Sequence, residues 1–240
     1  MPSDDRPSSS PLKGPLCAVF MPALTSGALA DVQKRLGSKA TLADPERGLT
    51  AGHGVSDHAA KIAEDLAGAS YHEERTVVGN ERDVALGVVR WPDGRARRVA
   101  VVSVRKKSRE IDVRVYHATA AEPRLELLPA DMRITLAKPV GVVLDALAEG
   151  DVEEALSQFE ETAAACDAAG GVHPKASGAM RTYFGGLAAG GFDCEPAGSA
   201  DDGRVCVVEA NFARGGARRP GLFVFERGDS GLFTSLATYP

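Results

Sequence analysis

The segment 143–159 reads VLDALAEGDVEEALSQF and has the pattern of two short helices joined by a tight turn. Its first apolar residues recur at helical spacing and form one face: Val143, Leu144 and Leu147. Gly150 stands where a left-handed residue ends a helix, and Asp151 is a good cap for the helix that follows. That second helix carries apolar residues as far as Phe159, so the segment predicts a helix–turn–helix unit.

A related pattern occurs earlier in the chain. Leu24 and Gly27 precede Leu147 and Gly150 by 123 positions. The same separation relates Leu36 to Phe159, Asp44 to Asp167 and Gly48 to Gly171, and a separation of 122 relates Arg105 to Arg227 and Ser108 to Ser230. Chance rarely produces so many matches in one order, so we interpret the chain as a tandem duplication.

Each half places helices first and an antiparallel meander after them. In the first half, helices are predicted at 29–36 and 56–66, and strands at 72–78, 84–88, 99–104 and 111–115. In the second half, the patterns predict a helix at 175–187 and strands at 205–212, 221–225 and 232–237. This order is typical of an α+β fold with helices on one face of a curved sheet.

The domain division follows from composition. Residues 1–14 are rich in Pro, Ser and charge, which predicts a disordered leader. We expect a first domain at 15–118 and a second at 138–240. Residues 119–137 contain Pro123 and Pro129 without sustained periodicity, and are interpreted as a linker.

Composition excludes several classes of protein. The 240 residues include 28 Lys and Arg against 33 Asp and Glu, a net charge of −5, so a nucleic-acid partner is not expected. No apolar run is long enough to cross a membrane. The four cysteines lie far apart, which argues against a zinc site and favours free thiols in the cytoplasm, although Cys194 and Cys206 could meet across a hairpin. No metal or other cofactor is expected.

The segment 143–159, with Gly171 and the downstream GAMRTYF at 178–184, resembles the SnoaL-like branch of the nuclear transport factor 2-like superfamily. Residues 24–66 look like a weaker copy, with Ser26-Gly27-Ala28 at the turn. The resemblance implies two cone-shaped domains, each with three helices closing a bent antiparallel sheet around a cavity. Members of the superfamily use that cavity for steroids, polyketides, epoxides or protein partners.

Asp167 and Asp44 are the candidate general bases. Each follows the first-helix Leu of its copy by 20 positions, where the similar ketosteroid isomerase has its catalytic Asp. Asp44 also precedes Pro45, where Asp is a common turn residue. The oxyanion-hole positions of that isomerase correspond to residues without a donor side chain: Phe20, Val143, Val99 and Gly221. Loss of one such donor costs about 3 kcal/mol of transition-state stabilisation, so steroid-isomerase chemistry is not expected.

Other residues could line a cavity. His53, His58 and His173 lie in or near the loop before the third helix, where one could pair with the aspartate or be merely solvated. The remaining candidates are His117, Tyr183, Glu209 and Asn211, of which Tyr183 could equally belong to the core. Alternation places Glu209 and Asn211 on one face of a strand: they line the pocket if that face is concave and meet solvent if it is convex.

These observations favour a protein that binds a small apolar molecule without efficient catalysis. The alternative is an isomerase or cyclase that uses Asp167 as base, with His173 or Asn211 as electrostatic partner. Small residues around Asp167 predict the larger pocket in the second half, and burial is expected to raise the pKa of Asp167. The apolar run 222–225 predicts that the two sheets pack face to face as an intramolecular pseudo-dimer, which would leave the chain monomeric.

Overall fold

The structure is a computed structural model that describes residues 14–105, 111–118, 123–129, 134–214 and 216–239. Nearly all of the expected leader, Ser108 and much of the expected linker lie outside these ranges. The described part of the chain forms two units of the same design.

In the N-terminal domain, helices and short strands precede four long strands. The elements are α1 (Leu16–Ser26), α2 (Leu29–Leu36), β1 (Thr41–Asp44), β2 (Gly48–Ala51), α3 (Gly54–Asp65), β3 (Ser70–Val78), β4 (Arg82–Arg90), β5 (Ala96–Arg105) and β6 (Ile111–Tyr116).

The C-terminal domain has the same order of elements. They are α4 (Lys138–Glu149), α5 (Val152–Ser157), β7 (Phe159–Cys166), β8 (Val172–Pro174), α6 (Ala179–Ala189), β9 (Asp193–Asp201), β10 (Val205–Arg214), β11 (Ala217–Arg227) and β12 (Phe233–Tyr239).

The two sheets have identical topology. Their strand orders are β2-β1-β6-β5-β4-β3 and β8-β7-β12-β11-β10-β9. In each sheet the first strand pairs in parallel with the last strand of its domain, and the other pairs are antiparallel. Gly27 and Gly150 end α1 and α4 with left-handed φ values of 77° and 82°. The predicted α+β fold of two cone-shaped domains is confirmed.

Sequence patterns missed several strands. Helix α5 ends at Ser157, and Phe159 begins β7 instead of extending the helix. Strand β9 escaped prediction because Pro196 and Gly198 interrupt its apolar pattern. Pro196 is tolerated there because β9 is an edge strand, and it lies opposite Ala210 beside a bulge at Ala197 of β9. The helix expected from Lys175 begins only at Ala179, after Gly178 closes a turn with φ of 77°.

Both faces of each sheet are buried. In β11, Phe223 and Phe225 pack with helices α4–α6 in the core of their own domain. Leu222 and Val224 belong to a second cluster that joins the sheets. The N-terminal sheet contributes Val77, Val84, Leu86, Ala100, Val102, Val104 and Tyr116 to that cluster. The expected packing of sheet against sheet is therefore present.

Glu209 lies at the centre of the contact between the domains. Its carboxylate accepts hydrogen bonds from Arg114 Nε (2.5 Å) and Nη2 (2.6 Å), from Tyr116 Oη (2.6 Å) and from Arg82 Nε (3.3 Å). Burial alone raises the pKa of Glu209, but Arg114, Tyr116 and Arg82 outweigh it and hold the pKa below its usual value. The prediction that Glu209 lines a ligand pocket or meets solvent is wrong, because the second sheet covers this face.

The cysteines are free thiols, and Cys194 and Cys206 do not meet across the β9–β10 hairpin. Cys194 lies opposite Phe212, and Cys206 lies opposite Asp201.

Replacing Glu209 with Ala should lower the free energy of unfolding by about 3–5 kcal/mol, because it leaves the buried Arg114 without its carboxylate. The matched control is Glu153→Ala, which breaks an exposed ion pair with Arg181 and should cost at most about 1 kcal/mol. Urea denaturation at pH 7 measures both. Equal losses in the two variants would contradict the central role of Glu209.

Candidate functional site

The C-terminal domain contains a cavity of about 710 Å³. Small-molecule sites in proteins span roughly 300–1,000 Å³, so its size suits an organic ligand. Its apolar wall comes from α6, the start of β9 and the central strands: Leu187, Phe192, Phe212, Phe223, Ala217 and Pro220. Polar groups are fewer: Asp167, His173, Tyr183, Thr238 and Arg219.

Asp167 is held rigidly at the end of β7. Its Oδ1 accepts hydrogen bonds from the amides of Ala169 (2.9 Å) and Gly171 (2.8 Å), and its Oδ2 lies 2.9 Å from His173 Nε2. A Cβ at position 171 would lie 2.6 Å from Oδ2. Gly171 is therefore required for the close approach of the carboxylate to this turn.

The rings of His173 and Tyr183 stack on one another at the cavity. Their rings are parallel, with centroids 4.5 Å apart. The side chains of Asp167 and His173 are each 26% exposed, so the pair lies at the mouth and not in the depth of the cavity. Strand β8 supplies the histidine and helix α6 supplies the tyrosine, both predicted as candidates from the sequence.

The expectation that burial raises the pKa of Asp167 is wrong. Burial acts in that direction, but the hydrogen bonds from His173, Gly171 and Ala169 stabilise the carboxylate more strongly and lower its pKa. An ionised carboxylate can only accept a hydrogen bond, so the Nε2–H group of His173 donates to Asp167 Oδ2. The other imidazole nitrogen, Nδ1, then carries the lone pair that can accept a proton from a ligand.

The N-terminal domain also has an Asp–His pair, but it is buried and its histidine belongs to helix α3, whereas Thr50 of β2 occupies the position of His173 in β8. Asp44 Oδ1 accepts hydrogen bonds from the amides of Glu46 (2.8 Å) and Arg47 (3.1 Å), as expected of a turn residue, and Oδ2 contacts His58 Nε2. His58 Nδ1 lies 2.9 Å from Thr50 Oγ1. Asp44 and His58 are only 1% and 4% exposed, so both nitrogens of this histidine are engaged away from any ligand.

The cavity beside Asp44 measures only about 20 Å³, space for roughly one water molecule. Packed side chains surround it closely, including Met21, Ile62, Leu66, Val99 and Val115. His117 lines it, and burial lowers the pKa of this histidine. His53 is exposed and does not line it. As expected, the C-terminal domain has the larger cavity.

Asn211 does not line the large cavity, contrary to the prediction. Its amide faces the contact between the domains, where it bonds the backbone of Leu128. Phe212, the next residue of β10, is the one that lines the cavity. Because neighbouring strand residues face opposite sides, Glu209 and Asn211 lie on the face of β10 that is turned away from the cavity.

The sequence did not identify the aromatic wall or Arg219 as site residues. Arg219 is exposed and stands at the rim of the cavity. The available signal was alternation along β11, since Phe223 and Phe225 share the face that the helices cover. Phe20, Val143 and Val99 are apolar and buried.

Within the described ranges, no three His, Cys, Asp or Glu residues cluster as metal ligands. None of the described helices is both long and apolar enough to span a membrane.

Titration of Asp167 tests the geometry of its turn. The midpoint followed by carbon-13 NMR should lie below about 3.9, the usual value for Asp. His173→Ala removes one donor and should raise the midpoint, whereas His53→Ala should leave it unchanged. A wild-type midpoint above 3.9 would mean that loss of water, and not hydrogen bonding, controls this carboxyl group.

No protein-family model and no curated protein sequence matches the chain. Solved structures match about half of it. A nuclear transport factor 2-like protein of unknown function from Cytophaga hutchinsonii is 13% identical, covering 45% of this chain and 95% of its own, with a TM-score of 0.38. A putative polyketide cyclase from Sinorhizobium meliloti is 23% identical, covering 43% and 94%, with a TM-score of 0.38.

The epoxide hydrolase/cyclase-like enzyme SalBIII, associated with pyran ring formation in salinomycin, is 21% identical. The match covers 43% of this chain and 88% of that enzyme, with a TM-score of 0.39. Each match has the length of one domain, and the two domains share one strand order. The described part of the chain is a tandem of two α+β domains of the same topology.

Proposed function

We propose that the C-terminal domain binds a small, mostly apolar molecule that carries one polar group. The observation that supports this proposal is the 710 Å³ cavity, whose wall is aromatic and aliphatic and whose polar groups are few. Apolar walls favour apolar ligands because binding removes both surfaces from water.

The polar groups at the cavity suggest how such a ligand is oriented. The parallel rings of His173 and Tyr183 offer a flat face to an aromatic or conjugated ligand. Arg219 at the rim and the Asp167–His173 pair at the mouth favour a ligand with an oxygen substituent, since imidazole and guanidinium groups both hydrogen-bond oxygen. The cavity beside Asp44 in the N-terminal domain, at about 20 Å³, is too small for an organic ligand, and this proposal assigns it none.

The neutral fluorescent probe N-phenyl-1-naphthylamine tests this proposal. The wild-type chain should bind it saturably, with enhanced emission. Ala217→Trp places a large side chain at the exposed cavity rim and should weaken binding at least 10-fold.

The matched control is Ala96→Trp, at the exposed first position of β5, the N-terminal counterpart of β11. It should leave probe affinity unchanged. Failure of the wild type to bind, or equal weakening by both tryptophans, would contradict a ligand site in the C-terminal cavity.

The Asp167–His173 pair supports a second candidate, an enzyme that removes a proton next to a carbonyl group. In this candidate His173 Nδ1 accepts the proton, while Asp167 holds Nε2–H at 2.9 Å and stabilises the imidazolium that forms. The lowered pKa of Asp167 suits this supporting role better than direct proton abstraction. An isomerase or cyclase reaction begins with such a step.

Exchange of the α-protons of 2-tetralone in D₂O, followed by NMR, measures this step. If the pair is the base, the wild type accelerates exchange, and His173→Gln should reduce the rate about 10²–10⁴-fold. His53→Gln, at an exposed histidine of the other domain, should have no effect. A wild-type rate equal to that of buffer would reject the enzyme and leave the binding proposal intact.

A further inference from the structure

Residues 123–129 join the two domains and also reach the ligand cavity. Pro123 is part of the wall of the 710 Å³ cavity. Leu125 packs against the apolar cluster between the sheets, and Leu128 is buried. The C-terminal cavity is therefore bounded partly by a segment that lies outside the helices and strands of its own domain.

Asn211 fixes this segment on the C-terminal side. Its Nδ2 donates to the Leu128 carbonyl and its Oδ1 accepts from the Leu128 amide, both at 2.8 Å. A weaker bond of 3.4 Å joins Nδ2 to Glu195 Oε2. With 2% exposure, the side chain is enclosed, and both polar groups of the Leu128 backbone depend on it.

The N-terminal domain fixes the same segment at its other end. The amide of Arg124 donates to the carbonyl of Pro45 at 2.8 Å. Gly48 lies against the same residue, because a Cβ there would come within 3.0 Å of the Arg124 carbonyl oxygen. The segment thus runs from the turn that follows Asp44 in one domain to strand β10 in the other.

We propose that Asn211 is a positioning residue for the ligand site, and that it holds residues 123–129 as a wall that retains the ligand. The inference rests on the proposed binding function. It assigns a role to the N-terminal domain as well: the cavity beside its Asp44 is too small for an organic ligand, but its Pro45 turn anchors the wall of the other domain's cavity. Loss of either anchor should speed ligand release.

Stopped-flow dissociation of N-phenyl-1-naphthylamine from the full chain tests the inference. Asn211→Ala removes both bonds to Leu128 and should raise the dissociation rate about 10-fold. Arg124→Pro removes the amide N–H that donates to the Pro45 carbonyl, and the Arg124 side chain itself is exposed. This variant should also raise the dissociation rate. The control on the same segment is Glu126→Ala, an exposed residue that does not line the cavity, and its rate should equal that of the wild type.

Hydrogen exchange supplies a readout that a purely structural role would not change. Bound probe should slow exchange of the amides of residues 124–128 in the wild type, and this protection should be lost in Asn211→Ala.

The outcomes separate the two proposals. A wild type that binds the probe, with unchanged release in Asn211→Ala and Arg124→Pro, overturns the role of the segment and leaves the binding function standing. A wild type that binds no probe overturns both. If Asn211→Ala does not fold, the release rate of Arg124→Pro alone decides the matter.

Discussion

Each sheet has apolar side chains on both faces, and the whole architecture depends on the need to cover both. Three helices cover one face in each domain, and the second sheet covers the other. At the centre of that contact a carboxylate, Glu209, meets two arginines and a tyrosine of the partner domain. Buried charges are tolerated only when they are paired and hydrogen-bonded, so this cluster admits few alternative alignments of the sheets.

Each domain has an aspartate that contacts a histidine, and the two pairs differ in their surroundings. In each domain Oδ1 of the aspartate accepts two backbone hydrogen bonds and Oδ2 lies against a histidine, but His58 belongs to helix α3 and His173 to strand β8. In the N-terminal domain the surroundings are closed, and the pair stabilises a packed core. In the C-terminal domain small residues and a cavity leave the pair accessible. The two pairs therefore differ in the element that supplies the histidine and in the volume around them.

Much of the fold could be predicted from the sequence because its signals are local. The repeat, the helix–turn–helix unit at 143–159 and the long strands depend on periodicity and glycine positions. Strand β9 could not be predicted, since Pro196 is compatible with a strand only at a sheet edge. The sequence also did not show which side of the sheet Glu209 and Asn211 occupy. Alternation places the two residues on one face, but it does not say which face the second sheet covers. The sequence also left open which histidine pairs with each aspartate, because that choice depends on tertiary contacts.

The parallel pairing of β1 with β6 has a consequence for synthesis of the chain on the ribosome. The N-terminal sheet cannot close until Tyr116 has emerged, and its outer face then waits for a partner that ends more than a hundred residues later. During that interval Val84, Leu86 and Val102 are open to water, and Arg114 lacks its carboxylate. The half-made protein is therefore the species most exposed to aggregation and to chaperone capture.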